Sequence, residues 1–166
     1  MNLYTLKMLK KLGSKTLHGL EPNLKFKNKH FGKIKIFNQT IERFKSNKKY
    51  ELIILAHVLE HLPNPELAIK NCFKHQNYGQ KILIEVPLFD KIELYPLAGF
   101  TMEHLHYFSE PNLKYFIEKN GYKILSIVKT YFATPMPFIT IIAEKSIKNI
   151  IDLREADIKQ QKKLFI

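Results

Sequence analysis

At 166 residues, with 45% hydrophobic and 25% charged residues, the chain is long enough for one core and too apolar for wholesale disorder. No apolar run approaches the ~20 residues that cross a bilayer, and the best candidate, Phe132 to Ala143, is broken by Pro135 and Pro137. The start shows no apolar secretory stretch, and a single cysteine, Cys72, rules out an intramolecular disulfide, so a reducing cytoplasm is the expected location. The net charge of +12 is uneven: residues 1–49 hold 13 Lys/Arg against Glu21 and Glu42, and the remainder is nearly balanced. Such a basic third, interleaved with Phe26, Phe31, Phe37 and Phe44, suits phosphate backbones. Yet lysines outnumber arginines 25 to 2, and arginine is the residue that bidentate phosphate recognition favours, so composition argues against a nucleic-acid partner without excluding one.

Leu3, Leu6, Leu9 and Leu12 recur at helical spacing and stop at Gly13, a C-cap residue. Thr16 to Leu20 reads as a short strand ending at Glu21-Pro22-Asn23, and Lys33 to Phe37 alternates with the period of two expected of a strand. Leu52 to Ala56 is a continuous apolar run, the signature of a buried parallel strand. Pro65 to His75 predicts a helix, Lys81 to Val86 the next strand, and Pro111 to Asn120 a helix closed by Gly121. Ile124–Val128 and Phe138–Ala143 follow with no helix between them, which predicts an antiparallel pair closing a mostly parallel sheet. Residues 1–145 are therefore read as one α/β domain. Residues 146–166, with Ile147, Ile150, Ile151, Ile158 and Leu164 as apolar positions, are read as an amphipathic helical tail that covers the sheet or meets a second copy in a homodimer.

Three stretches carry a resemblance. Gly19 to Asn23 resembles the end of the second strand of class I S-adenosylmethionine-dependent methyltransferases. Tyr50 to Pro65 (YELIILAHVLEHLPNP) is similar to the family's fourth-strand motif. Gln80–Pro87, Glu103–Ser109 and Asn120–Tyr122 are similar to its C-terminal half. The resemblance covers about residues 3–145 and is to the small-molecule and sugar-tailoring type. It implies a Rossmann-like, mostly parallel sheet of strand order 3-2-1-4-5-7-6 with its last strand antiparallel, S-adenosylmethionine as cofactor, and a small hydroxylated acceptor. It also implies a departure. The family's first strand ends in a Glu/Asp-x-Gly-x-Gly loop ahead of the helix matched by Leu3–Leu12, and Gly13 and Gly19 are the only glycines among the first 20 residues. The chain thus reads as lacking the first strand and its glycine-rich loop, as an N-terminally truncated domain would, with recruitment of Met1–Leu6 to that role as the alternative.

Carried onto this sequence, the resemblance makes Glu21 the acceptor of hydrogen bonds from the ribose hydroxyls, with Thr40 and Ile41 along the adenine edge and Ala56, His57 and Val58 beside the sulfonium. Glu103, His104 and His106 are the densest titratable cluster and lie just beyond Leu88–Met102, where the family builds its acceptor site. A neutral imidazole takes a proton from a hydroxyl near pH 7, so these three are the candidate catalytic residues, His104 first. The competing reading is a strand-like edge whose histidines are merely satisfied, and Tyr95, Phe100, Tyr107 and Phe108 are either pocket lining or plain core. His57-Val58-Leu59-Glu60-His61 matches the H-x-x-E-H pattern of inverted zinc proteases, which requires both histidines on one helix. Pro63 and the strand running into His57 leave no such helix, so no metal site is expected. A divalent ion shared by the Glu103–His106 cluster with Glu60 or His61 stands as the minor alternative.

Two rivals to the enzyme reading stand beside it: a non-catalytic remnant serving as an interaction module, and an RNA methyltransferase or RNA-binding module using the basic first third. The absent loop generates a prediction. Isothermal titration of this chain alone with S-adenosylmethionine gives a Kd no tighter than about 1 mM, near −4 kcal/mol. A signal at micromolar concentrations means that Met1–Leu12 replaces the loop.

Overall fold

A computed structural model of the chain describes residues 3–23, 30–31, 34–90, 102–131 and 136–146. They fall into two compact units, Met1–Lys45 and Ser46–Ile166. The expected tail helix and most of the Leu88–Met102 segment lie outside the described residues.

In the first unit, helix α1 (Leu3–Lys11) precedes strands β1 (Leu17–Leu20), β2 (His30–Phe31) and β3 (Ile34–Phe37). Gly13 takes φ +93 just past α1, and Ser14 N donates to the Leu9 carbonyl, which caps the helix where the leucine spacing stops. β1 and β3 are parallel, with Leu17 opposite Ile34 and Gly19 opposite Ile36, and β2 adds an antiparallel edge to β3 that the sequence reading did not foresee. Leu17, Ile34 and Ile36 form the core, with Leu6 and Leu9 of α1 packed against it. The period of two in β3 and the i, i+3 leucines of α1 therefore meet on one apolar face.

The second unit contains β4 (Leu52–Ala56), a 3₁₀ turn (Leu59–His61), α2 (Pro65–Lys74), β5 (Lys81–Pro87), α3 (Glu110–Lys119), β6 (Tyr122–Thr130) and β7 (Phe138–Lys145). Its sheet has the order β4-β5-β7-β6; β4 and β5 are parallel, and β7 runs antiparallel to both β5 and β6. Ile82, Ile84 and Val86 pair with Ala143, Ile141 and Ile139, and all six are fully buried. Leu113 and Ile117 of α3 and Ile69 and Cys72 of α2 are equally buried. Asn64 starts α2 by accepting the Leu67 amide at 2.9 Å, with Pro65 following it. Burial pushes the Cys72 thiol up to about 12, so it stays protonated and inert at neutral pH.

The architecture is the expected Rossmann-like α/β arrangement, mostly parallel, with β7 and the short edge strand β2 reversed. Equating β1, β3, β4, β5, β6 and β7 with the family's second to seventh strands, the first unit keeps the second and third as neighbours and the second unit keeps the order 4-5-7-6. Two separate sheets, rather than one, are what the described residues form.

Two glycines make a paired prediction. Gly79 (φ +82) has open space where a Cβ would stand, whereas at Gly121 (φ +87) that atom meets Phe73 Cε2 at 2.7 Å. Gly79→Ala costs only left-handed backbone strain, ~1–2 kcal/mol. Gly121→Ala adds overpacking of a further ~1–3 kcal/mol. Urea denaturation of the two variants measures the difference, and equal losses would refute the packing account.

Candidate functional site

Glu21 stands at the C-terminal end of β1. Its amide donates to the Phe37 carbonyl at 3.0 Å, continuing the β1–β3 ladder by one residue, and its own carbonyl accepts from Asn38 Nδ2 at 2.9 Å. The side chain is only 8% exposed, and Oε1 accepts the Asn23 amide at 3.0 Å. Burial alone would raise the carboxyl's pKa; hydrogen bonding outweighs it and holds the group below its ordinary value. A charged carboxylate is thereby fixed at a strand terminus. Thr40 and Ile41 follow β3 in a turn closed by Arg43 N onto the Thr40 carbonyl, and both are half-buried.

In the second unit the chain leaves β4 by a sharp bend. His57 is the one non-glycine described residue at positive φ (+53), and its amide donates to the Glu85 carbonyl at 2.9 Å. A left-handed histidine directly at a strand end is backbone strain of the kind that functional sites hold. The bend puts His57 Nδ1 3.4 Å from Glu60 Oε1 and Nε2 3.3 Å from Glu85 Oε1. Glu60 raises the pKa of His57, burial opposes it, and Glu85 adds to the rise. Thr140 Oγ1 donates to the other oxygen of Glu85 at 2.8 Å.

Residues 103–108 are fastened to the turn after β4. The Glu60 carbonyl accepts the amides of Leu105 and His106 at 2.7 and 3.1 Å. His106 Nε2 donates to the Leu62 carbonyl, and His61 Nδ1 to the Glu103 carbonyl, each at 2.9 Å. Further on, Leu88 and Phe108 form a parallel bridge, and Phe89 N donates to the Phe108 carbonyl at 2.7 Å. The His61 and His104 rings meet edge to face at 4.9 Å.

The candidate catalytic residues therefore separate. His106 is engaged structurally, and Glu103 is exposed and contributes its carbonyl to His61. His104 is half-buried, and its Nδ1 is buried with no hydrogen-bond partner. Of the aromatics read as pocket or core, Phe108 is buried and Tyr107 lies tilted against Phe89 with ring centroids 5.3 Å apart, whereas Tyr95 and Phe100 lie outside the described residues. Glu60, read from the sequence only as a possible ligand in the minor divalent-ion alternative, is 1% exposed, with neither carboxylate oxygen hydrogen-bonded. The H-x-x-E-H spacing was the available signal, set aside because no long helix follows; a single 3₁₀ turn suffices to bring Glu60 and His61 to His104.

The strain at His57 generates a prediction. His57→Gly is more stable than His57→Ala by ~1 kcal/mol or more, because glycine adopts positive φ without a Cβ penalty. Thermal unfolding of the pair measures it, and the reverse order would mean that the bend is not left-handed.

Residues 4–127 match the sequence family described as a methyltransferase domain. No curated protein matches the chain. Among solved structures, the N-methyltransferase NodS from Bradyrhizobium japonicum WM9, in complex with S-adenosylhomocysteine, is 14% identical with a TM-score of 0.63 over 84% of this chain and 72% of that one. The 1,6-didemethyltoxoflavin N1-methyltransferase of Burkholderia thailandensis, holding 1,6-didemethyltoxoflavin and S-adenosylhomocysteine, is 11% identical with a TM-score of 0.67 over 84% of this chain and 65% of that one. Magnesium protoporphyrin IX methyltransferase from Synechocystis PCC 6803, with bound S-adenosylmethionine, is 13% identical with a TM-score of 0.60 over 84% of this chain and 63% of that one. With the family matched over most of its length and the strand order its sheets display, this chain belongs to the methyltransferase domain family and has the Rossmann-like fold of class I S-adenosylmethionine-dependent methyltransferases.

Proposed function

We propose that the domain transfers a methyl group from S-adenosylmethionine to a small hydroxylated acceptor, sugar-like or another metabolite. The observation that carries this reading is His104, an imidazole whose Nδ1 has no hydrogen-bond partner, held beside the turn that follows β4. In open α/β sheets ligands bind beyond the carboxyl ends of the strands, and Glu21 and His57 each stand at that end of their own strand. The Burkholderia relative, with its small heterocyclic substrate and spent cofactor, supports a small acceptor.

The chemistry of Glu21 suits the ribose end of the cofactor. Glu21 is a buried strand-end carboxylate of the kind that accepts ribose hydroxyls, Thr40 and Ile41 offer an adenine edge, and Ala56, His57 and Val58 form the strained strand end assigned to the sulfonium. No glycine-rich loop for the methionine end occurs among the described residues. When bound, S-adenosylmethionine supplies a methyl group already activated by its sulfonium. The protein's remaining work is to hold the acceptor in line and to deal with its proton as the oxygen–carbon bond forms and the sulfur–carbon bond breaks. His104 is the residue on which that step depends, and the bonds of His106 and Glu103 hold its segment in place. Methyl transfer to RNA is the second reading, resting on the 13 Lys/Arg of residues 1–49.

The test is transfer of labelled methyl to panels of hydroxylated small molecules and to RNA. It is run on the chain as it is and on a fusion carrying the first strand and glycine-rich loop of a structural relative. His104→Ala lowers turnover by about 10²–10⁴, while Glu21→Ala acts chiefly on cofactor affinity. Undiminished turnover in His104→Ala would remove it from the mechanism, and no transfer by either protein to any acceptor would overturn the enzyme reading.

A further inference from the structure

We propose that Glu60, His61 and His104 form a binding site for a divalent transition-metal cation. One ligand atom from each of the three lies within 4.8 Å of the others. Tetrahedral ligands at ~2.0–2.2 Å from a shared ion stand about 3.4 Å apart, so closure draws the ligand atoms together by up to about 1.4 Å.

Three independent features point into this space. The Glu60 side chain is 1% exposed, and neither of its oxygens has a hydrogen-bond partner, a costly state for a carboxylate and one that a cation resolves. His61 Nδ1 lies 2.9 Å from the Glu103 carbonyl, and a carbonyl only accepts, so the ring proton sits on Nδ1. The lone pair is then on Nε2, 3.8 Å from Glu60 Oε1. A backbone carbonyl on the far nitrogen is the arrangement that orients metal-ligating histidines. His104 Nδ1 is likewise buried and without a hydrogen-bond partner. The scaffold is braced, because the Glu60 carbonyl holds the amides of Leu105 and His106 and fixes the two sides of the site to each other.

Two imidazoles and one carboxylate suit zinc, cobalt, iron or manganese better than magnesium or calcium, which prefer all-oxygen shells. Three protein ligands leave a position for water or for an acceptor hydroxyl. The lone pair of His104 Nδ1 cannot serve a cation and a proton together. With a cation bound, His104 would serve as its ligand and not as the base, and the metal would supply Lewis acidity that lets the acceptor hydroxyl lose its proton to solvent water. That consequence rests on the proposed methyl transfer; binding of the ion does not.

The experiment uses the untagged full chain, titrated with Co²⁺ by visible absorption and with Zn²⁺ by isothermal calorimetry. One ion per chain is expected, with Zn²⁺ raising the thermal midpoint. Glu60→Gln, His61→Ala and His104→Ala each weaken binding at least about tenfold, and Glu66→Gln, on the exposed face of α2, leaves it unchanged. Circular dichroism confirms that each variant is folded, and three ligand variants guard against the loss of any one. Absence of saturable one-to-one binding, or binding that the folded ligand variants leave intact, overturns the site. Ion binding without methyl transfer upholds the site and counts only against the functional reading.

Discussion

Two amides, those of Leu105 and His106, converge on the carbonyl oxygen of Glu60. Through that oxygen the segment following β5 is tied to the turn following β4, although the two are far apart along the chain. A carbonyl with two lone pairs can accept twice, and here both bonds go to consecutive residues, which fixes the segment's direction as well as its position. His104 precedes that pair of amides, and His61 follows the carbonyl. The reciprocal bonds, His61 to the Glu103 carbonyl and His106 to the Leu62 carbonyl, then lock the pairing from both ends.

The bend at His57 makes this possible. A strand that continued straight past Ala56 would carry Glu60 away from its segment. The left-handed residue turns the chain at once into the 3₁₀ turn, and its amide stays on the β5 ladder through the Glu85 carbonyl. The conformation costs backbone energy that the sheet on one side and the α2 cap at Asn64 on the other must offset. It also explains why an H-x-x-E-H spacing appears here without a long helix. One 3₁₀ turn places Glu60 and His61 side by side, and the third ligand comes from elsewhere in the chain.

Much of the fold was legible because its signals are local. The unbroken apolar run of β4, the alternation in β3, Pro65 behind Asn64 and Gly121 after α3 each announce an element boundary through the residue's own conformational limits. The antiparallel closure was readable from the missing helix between Ile124–Val128 and Phe138–Ala143. The division into two sheets was not read as such, although it agrees with the absent glycine-rich loop. At the site the limit is different. The titratable cluster around His104 was visible as a density of residue types, but its members' roles were not. Whether an imidazole nitrogen meets a carbonyl or an empty space depends on contacts across more than forty residues, and no local pattern records those. The burial of Glu60 was hidden for the same reason, since the H-x-x-E-H spacing names the residue without recording what packs over it.

Stability and chemistry pull in opposite directions at Glu60. A buried carboxylate without a hydrogen-bond partner is among the least favourable groups a small domain can hold, and an apolar or amide side chain of similar size would lower the folded state's free energy. The neighbouring carbonyl bonds are made by the backbone and would survive such a replacement, so nothing in the architecture requires the acid. His57, 3.4 Å away and half-exposed, softens its charge without giving it a hydrogen bond. A side chain that the fold does not need, in a place where it weakens the fold, is best accounted for by what it binds. Two of the three groups around that space are placed by bonds made elsewhere, the His61 ring by the Glu103 carbonyl and the backbone next to His104 by the two amides that follow it. The left-handed bend at His57 and the buried carboxylate of Glu60 are the two places around that space where the fold carries unfavourable free energy.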